Sequence, residues 1–425
     1  MPAGAFRFLH AADLHLDSPL RGLVRYPGAP AERLQGATRA AFSRLIDLAL
    51  EREVAFVIVA GDVFDGDWPD YSSGLWFNSE VRRLAAADIP LFLLRGNHDA
   101  ASRVTRALAL PEGVMAFPTD APATKRLERQ EVALHGQSFA EQHVYENLAR
   151  AYPAPVPGWL NIGVLHTGLE GYEGHGVYAP CTLSELVAKG YDYWALGHIH
   201  QRQVLHTDPW VVFPGNLQGR HARELGPKGA TLVHVEAGRI TALEELACDV
   251  ARWTHARVDV SGCTQEATAL AEVKRQLEVA VDEADGRLIA ARVTLTGATP
   301  LDTPLRAARE RIVNEVRALG LQVSSELWVE KVLLETSGRA AAGEDTVFDV
   351  LAARIQATAL SGEDLLELGA ELQGFNAKLP ASVAERLAPT APATLERAAA
   401  RARRLLAALL ADSVKDGQDS AEGLT

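Results

Sequence analysis

The chain has 425 residues, 48% of them hydrophobic, and a formal net charge of −13 at neutral pH. That length calls for two or three domains with substantial cores. No apolar run reaches the length of a membrane span, so none is expected, and the acidic balance argues against a chain that grips duplex nucleic acid unaided. Cys181, Cys248 and Cys263 are far apart and odd in number, which predicts neither a disulfide framework nor a cysteine-type zinc site. A reducing cytoplasm is the expected compartment. The start, MPAGAFRFLH, enters a strand with no charged segment leading an apolar one, so secretion is not expected.

Taken in order, FRFLHAAD predicts a strand running into a loop. TRAAFSRLIDLALER predicts an amphipathic helix, VAFVIVAGD a buried strand, SSGLWFNSEVRRLAAA a second helix and IPLFLLRGNHD another strand. YPAPVPGW is a proline-rich loop. NIGVLHTG, YDYWALGHIH and WVVFPGN predict strands. TLVHVEAGRITALEEL predicts a hairpin turning at Ala237–Gly238. The alternation implies an α/β sandwich around central sheets over 1–248. From about 250 the pattern changes to strand, helix, strand, helix, strand, an α+β module over 249–337. SGRAAAGE reads as a linker, followed by helical segments to 411 and a polar tail, 412–425, expected to be disordered.

Metal-type residues punctuate the first part: DLH at 13–15, GD at 61–62, GNHD at 96–99, His166, and GHIH at 197–200. Most follow a short apolar run that ends in a sharp turn, where a layered α/β protein places active-site groups. Scattered core histidines would not recur with this punctuation. In an extended DLH, Asp13 and His15 point to one side, and His198 and His200 do the same. Oxygen and imidazole ligands without thiolate suit Mn, Fe or Zn better than Ca. Asp17 and Asp65 lie close to these groups; Asp17 could equally cap the turn at Ser18–Pro19. Arg220 and His221, in PGNLQGRH, could meet a phosphate backbone or belong to a solvated loop. His175 reads as a surface-loop histidine, and His10, His135, His143, His206, His234 and His255 as ordinary core or surface histidines.

These motifs, over roughly 6–220, resemble the binuclear calcineurin-like metallophosphoesterases. FLHAADLHLDSPL with the AGDVFD and RGNHD pair is more specifically similar to SbcD-type DNA repair exonucleases, on the YhaO-like branch. The resemblance implies a metallophosphoesterase α/β sandwich with a smaller α+β capping domain and C-terminal helices. It implies two divalent ions, preferably Mn²⁺: one held by Asp13, His15 and His200, the second by Asn97, His166 and His198, with Asp62 bridging. It makes His98 the histidine that acts on the leaving oxygen. Asp99 could orient His98 or cap the segment 100–110. The implied function is phosphodiester hydrolysis in DNA, exonucleolytic or endonucleolytic, with an SMC-like coiled-coil ATPase gripped by the helices of 338–411. A homodimer is possible within that family, and no membrane partner is implied. The same ligands also serve phosphatases and phosphodiesterases for small nucleotides or phosphoproteins. A scaffold that has lost activity is disfavoured, since it has no need for seven converging ligands.

Overall fold

The protein is described from a computed structural model covering residues 4–18, 28–65, 72–101, 109–169, 178–338, 351, 354–355, 357–358, 361–378, 388–403 and 406. In chain order the N-terminal part carries β1 (Phe6–Ala11), α1 (Ala31–Gln35), α2 (Ala37–Glu51), β2 (Phe56–Ala60), α3 (Ser72–Ala85), β3 (Leu91–Leu94), α4 (Asn97–Ala101), β4 (Val114–Ala116), β5 (Ala123–Leu127) and β6 (Val132–Gly136). It continues with α5 (Leu148–Ala151), β7 (Leu160–His166), α6 (Leu183–Ala188), β8 (Tyr193–Gly197), β9 (Gln203–Thr207), β10 (Trp210–Phe213), β11 (Gly229–Glu236) and β12 (Arg239–Ala247). Then come β13 (Ala251–Asp259), α7 (Glu266–Glu283), β14 (Leu288–Thr299), α8 (Asp302–Ala307), α9 (Arg309–Val323), β15 (Leu327–Gly338) and α10 (Gly362–Asn376).

Two six-stranded sheets, in the orders β12-β11-β1-β2-β3-β4 and β5-β6-β7-β8-β10-β9, form the middle of the sandwich. Strand alternation decides which face each side chain serves. Phe8, Phe56, Ile58 and Phe92 point toward the second sheet, where they share one core with Leu134, Ile162, Val164 and Tyr193. Phe8 stacks on Phe56 at 4.7 Å and meets Tyr193 edge-on at 5.5 Å. The alternate residues Leu9, Val57 and Val59 join Phe42, Leu45 and Phe77 of α2 and α3 on the outer face. The second sheet's outer face packs Trp194, Leu196 and Phe213 against Leu148 and Leu186. Because both faces are covered, β2, β3 and β8 are apolar along their whole length and β7 is buried throughout, as parallel strands require. β1 to β4 run parallel, as do β6, β7 and β8, and the C-terminal ends of β1, β2, β3, β7 and β8 carry the metal-type residues.

The hairpin turns where the sequence places it: Glu236 pairs with Arg239 across Ala237 and Gly238, which have φ of 50° and 74°. The three-stranded sheet β13-β14-β15 follows. Its strands are parallel, as shown by the bonds Leu288 N–H to Val250 O and Val260 N–H to Thr296 O at the two ends of the first pair. The second helix expected in this module is two, α8 and α9, because Ala308, with ψ of 23°, leaves the helical region between them.

The chain divides into two compact units. One is Met1–Ala256 with Lys274–Val293 and Arg317–Val332, and it holds both large sheets. The other is Arg257–Val273 with Thr294–Val316 and Leu333–Thr425, cored by Val258, Leu295, Leu305 and Ile312. Of the expected C-terminal helices, α10 and helical residues 392–403 are described, and Leu395 is buried near Gly369. The expected linker beyond Gly338, most of residues 339–360, the tail 412–425 and His175 lie outside the described residues.

Candidate metal centre

Each site residue sits at or just past the end of a strand. Asp13 and His15 follow β1, Asp62 follows β2, Asn97 and His98 follow β3, His166 ends β7, and His198 and His200 follow β8. The expected extended DLH is a left-handed loop instead, with φ of 52° at Asp13 and 44° at His15, and His198 has φ of 101°. The cause is the neighbouring loop. Asp13 N–H donates to Gly61 O at 3.0 Å, and His15 N–H to Asp62 O at 3.0 Å, so the segment curls along 61–63 rather than extending. Gly197 and Gly96 permit the close approach. A Cβ on Gly197 would strike Ala60 O, and one on Gly96 would strike the Asp62 carboxylate.

The side chains converge in three overlapping groups: Asp13, His15 and His200; Asp62, His166 and His198; and His15, Asp62 and His98. His15 Nε2 lies 3.1 Å from His200 Nε2 and 3.9 Å from Asp62 Oδ2. His200 Nε2 lies 3.8 Å from Asp13 Oδ1. On the other side His166 Nε2 is 2.9 Å from Asn97 Oδ1 and 3.4 Å from Asp62 Oδ2. Asp62 therefore faces both groups.

The donor set fits divalent cations. Atoms bound at about 2.0–2.2 Å around one ion lie roughly 3–4 Å from one another, the spacing found here. The facing Nε2 atoms of His15 and His200 are held together either by one N–H donating to the other's lone pair or, with a cation between them, by both lone pairs. His15 Nδ1 is buried without a hydrogen-bond partner. Burial pushes the Asp13 carboxyl up despite its neighbouring histidines, and burial with the Arg220 charge drives His15 well down. For Asp62 burial acts upward, but His166 outweighs it and holds the carboxyl well below its usual range. Burial likewise opposes the His166 cation, which Asp62 nevertheless raises to about 9. A divalent cation inverts such preferences, favouring ionised carboxylate and neutral imidazole together. The His166 Nδ1 to Ala60 O contact of 2.9 Å puts the proton on Nδ1 and leaves Nε2 for the centre.

His98 is partly exposed, and its Nδ1 lies 2.8 Å from Asp65 Oδ1. Burial disfavours its cation, but the Asp65 bond and the Asp62 charge outweigh this and raise its pKa. The carboxylate against His98 is thus Asp65. Asp99 is fully buried, and it accepts the backbone N–H of Val63, Phe64 and Gly96 at 3.1 Å. It stands inside α4 and ties the 61–64 loop to the 96–99 loop. Burial and the Asp62 charge push its carboxyl up to about 6. Asp17 is engaged by Arg39 at 2.6 Å and by Ser73. His221 is exposed, and His10 is buried with Nδ1 3.0 Å from the Tyr193 hydroxyl.

Glu224 is the residue that sequence reasoning missed. It is buried, and its Oε1 lies 2.7 Å from His200 Nδ1. Burial opposes its charge, but His200 and Arg220 together hold its carboxyl well below the usual range. Its loop has no periodicity, so only tertiary contact reveals it.

Two family models match. Calcineurin-like phosphoesterase covers residues 6–202, and the middle domain of metallophosphoesterase YhaO covers 253–337. The uncharacterized metallophosphoesterase YhaO of Bacillus subtilis is 36% identical over 324 residues, 73% of this chain and 79% of that one. The DNA double-strand break repair protein Mre11 of Sulfurisphaera tokodaii is 28% identical over 54% of this chain and 62% of its own. The SbcD component of the nuclease SbcCD of Escherichia coli K12 is 24% identical over 77% of this chain and 91% of its own. The sandwich, the three overlapping ligand groups and the 36% identity to YhaO agree. The chain belongs to the calcineurin-like metallophosphoesterases, in the family of YhaO, with similarity to the Mre11 and SbcD nucleases.

Proposed function

We propose that this protein is a Mn²⁺-dependent phosphodiesterase that cleaves DNA in repair, together with an SMC-like coiled-coil ATPase. The observation that carries the reading is the convergence of Asp13, His15, Asp62, Asn97, His166, His198 and His200 beside His98, in a chain similar to Mre11 and SbcD. Asp13, His15 and His200 would hold one cation and Asn97, His166 and His198 the other, with Asp62 shared. Two bound divalent cations supply the water activation and charge neutralisation that phosphoester hydrolysis needs. The chain's own part is placement and proton transfer. Asp65 accepts from Nδ1 of His98 and favours its cation, whose Nε2–H then gives its proton to the departing oxygen. Asp99 keeps the two ligand loops in register through three backbone amides.

In this reading 1–248 is the nuclease domain, 249–337 a cap that shapes access to DNA, and 338–411 the partner-binding region. A groove of about 520 Å³ lined by Ile355, Leu368, Ala399, Ala402 and Leu406 suits an apolar helix of the ATPase. A partner would also relieve the acidic balance of −13 on a DNA enzyme. The reading extends to a cytoplasmic protein that pairs as a homodimer. The test is incubation of the purified protein with Mn²⁺ and labelled single- and double-stranded DNA, beside a generic phosphatase substrate and small cyclic nucleotides. Metal-dependent shortening of DNA is expected. Turnover of the small substrates with DNA left intact would overturn the reading in favour of a small-nucleotide phosphodiesterase or phosphatase.

A further inference from the structure

His200 is held from the side that faces away from the metal groups. Its Nδ1 meets Glu224 Oε1 at 2.7 Å, while its Nε2 faces His15 and Asp13. A carboxylate only accepts, so the proton is on Nδ1 and Nε2 offers its lone pair. Arg220 Nη2 lies 3.2 Å from both Nδ1 and Oε1; with Nδ1 protonated, it donates to the carboxylate. The second Glu224 oxygen accepts Arg220 N–H at 2.7 Å. Arg220 Nη1 reaches Asp65 Oδ2 at 3.3 Å, and Asp65 holds His98. One guanidinium therefore clamps two carboxylates, each of which orients one histidine. Lys228 Nζ adds a bond to the His200 carbonyl at 3.0 Å.

We infer that Glu224 is a positioning residue for the centre: gripped by Arg220, it fixes the tautomer and angle at which His200 presents Nε2. This rests on the two-metal reading above. A carboxylate whose only duty was to anchor its loop would satisfy backbone amides and would not need the far nitrogen of a site histidine. Outer partners of this kind change metal affinity by roughly ten- to a hundred-fold.

The experiment titrates Mn²⁺ into the full-length protein, followed by electron paramagnetic resonance and calorimetry, for wild type, Glu224→Ala and Glu224→Gln. Nitrogen-15 correlation spectra of the imidazoles are taken on the same proteins in chelator. Wild type should take up two ions and show His200 with its proton on Nδ1. Glu224→Ala should weaken one site about ten- to a hundred-fold, leave the other unchanged and lose the single tautomer. Glu224→Gln keeps one acceptor for Nδ1–H, so it should recover most of the affinity and the tautomer. Unchanged Mn²⁺ affinity in Glu224→Ala overturns the inference, as does equal loss in the alanine and glutamine variants, which would mark a loop anchor. If Glu224→Ala does not fold, the glutamine variant and the wild-type tautomer decide. Wild type that binds no Mn²⁺ would overturn the two-metal reading itself.

Discussion

The ends of the large sheets and the three-stranded module are built from the same kinds of strand, yet they treat charge and backbone strain differently. At the sheet ends Asp13, His15, Asp62 and His198 all have positive φ, a conformation that L-residues adopt at some cost. In 251–338 the positive φ values among described residues fall on Asp285, Gly286 and Gly297. The sheet ends also crowd fully buried Asp13, Asp62 and His166 together. The module keeps its buried carboxylates in ordinary pairs, Glu330 with Arg292 at 3.0 Å and Asp302 with Arg306 at 2.9 Å. Four left-handed residues and unbalanced buried charge coincide at the sheet ends, whereas the module carries one left-handed non-glycine residue, Asp285, and balanced buried pairs.

The sharpest break of that contrast is at the shared carboxylate. Asp62→Ala should abolish hydrolysis and lower the uptake of both ions, since Asp62 faces both groups. His98→Ala should keep both ions and slow turnover by about 10²–10⁴-fold, the usual loss for a proton-transfer residue. Elemental analysis beside a DNA cleavage assay checks both. If His98→Ala sheds metal as Asp62→Ala does, His98 belongs to the ligand set.

The module should respond in stability instead. Arg292→Ala leaves Glu330 buried and unpaired, which costs about 3–5 kcal/mol in a fully buried pair and less here because Arg292 is partly solvated. A lower urea midpoint with unchanged Mn²⁺ stoichiometry and turnover per folded molecule is expected. A fall in Mn²⁺ uptake by the folded variant would show that the module reaches the centre and would blur the contrast.

Much of this was legible because the signals are local. Val57–Ala60, Leu91–Leu94 and Tyr193–Gly197 are apolar runs ending at a turn residue, and that punctuation located Asp62, the 96–99 loop and His198, while the choice of Asn97 over His98 as a ligand came from the family resemblance. The left-handed curl at 13–15 was not legible, because it comes from pairing with Gly61 and Asp62, about fifty residues on. The partner of His98 was hidden for a similar reason. Asp99 is its neighbour in sequence, but α4 turns that carboxylate toward backbone amides while Asp65 comes in from the loop after β2. Glu224 carries no motif and meets His200 only through the fold. The short strands β4, β5 and β9 escaped because their burial is mixed and their pattern weak.

The smallest expected effect concerns His10, which lies beneath the site but outside its ligand groups. Its ring is fully buried between Tyr193 and Leu196, and burial lowers its pKa to about 3. The sign follows from proton counting. Below the unfolded-state value near 6.5 the unfolded chain binds a proton on His10 that the folded chain refuses, so stability is full above that pH and falls as the solution is acidified. Two units of acidification below it correspond to about 2–3 kcal/mol from this one group. His10→Gln should be less stable than wild type near neutrality, since it disturbs the bonds to Tyr193 and Leu196. That gap should narrow as the pH falls from about 7.5 toward about 4.5, because the variant has no imidazole there to protonate on unfolding. Urea midpoints measured in chelator across that range make the comparison, with every ligand histidine common to both proteins. Parallel stability curves would mean that His10 contributes nothing to the acid response and that its buried ring does not set the pH dependence.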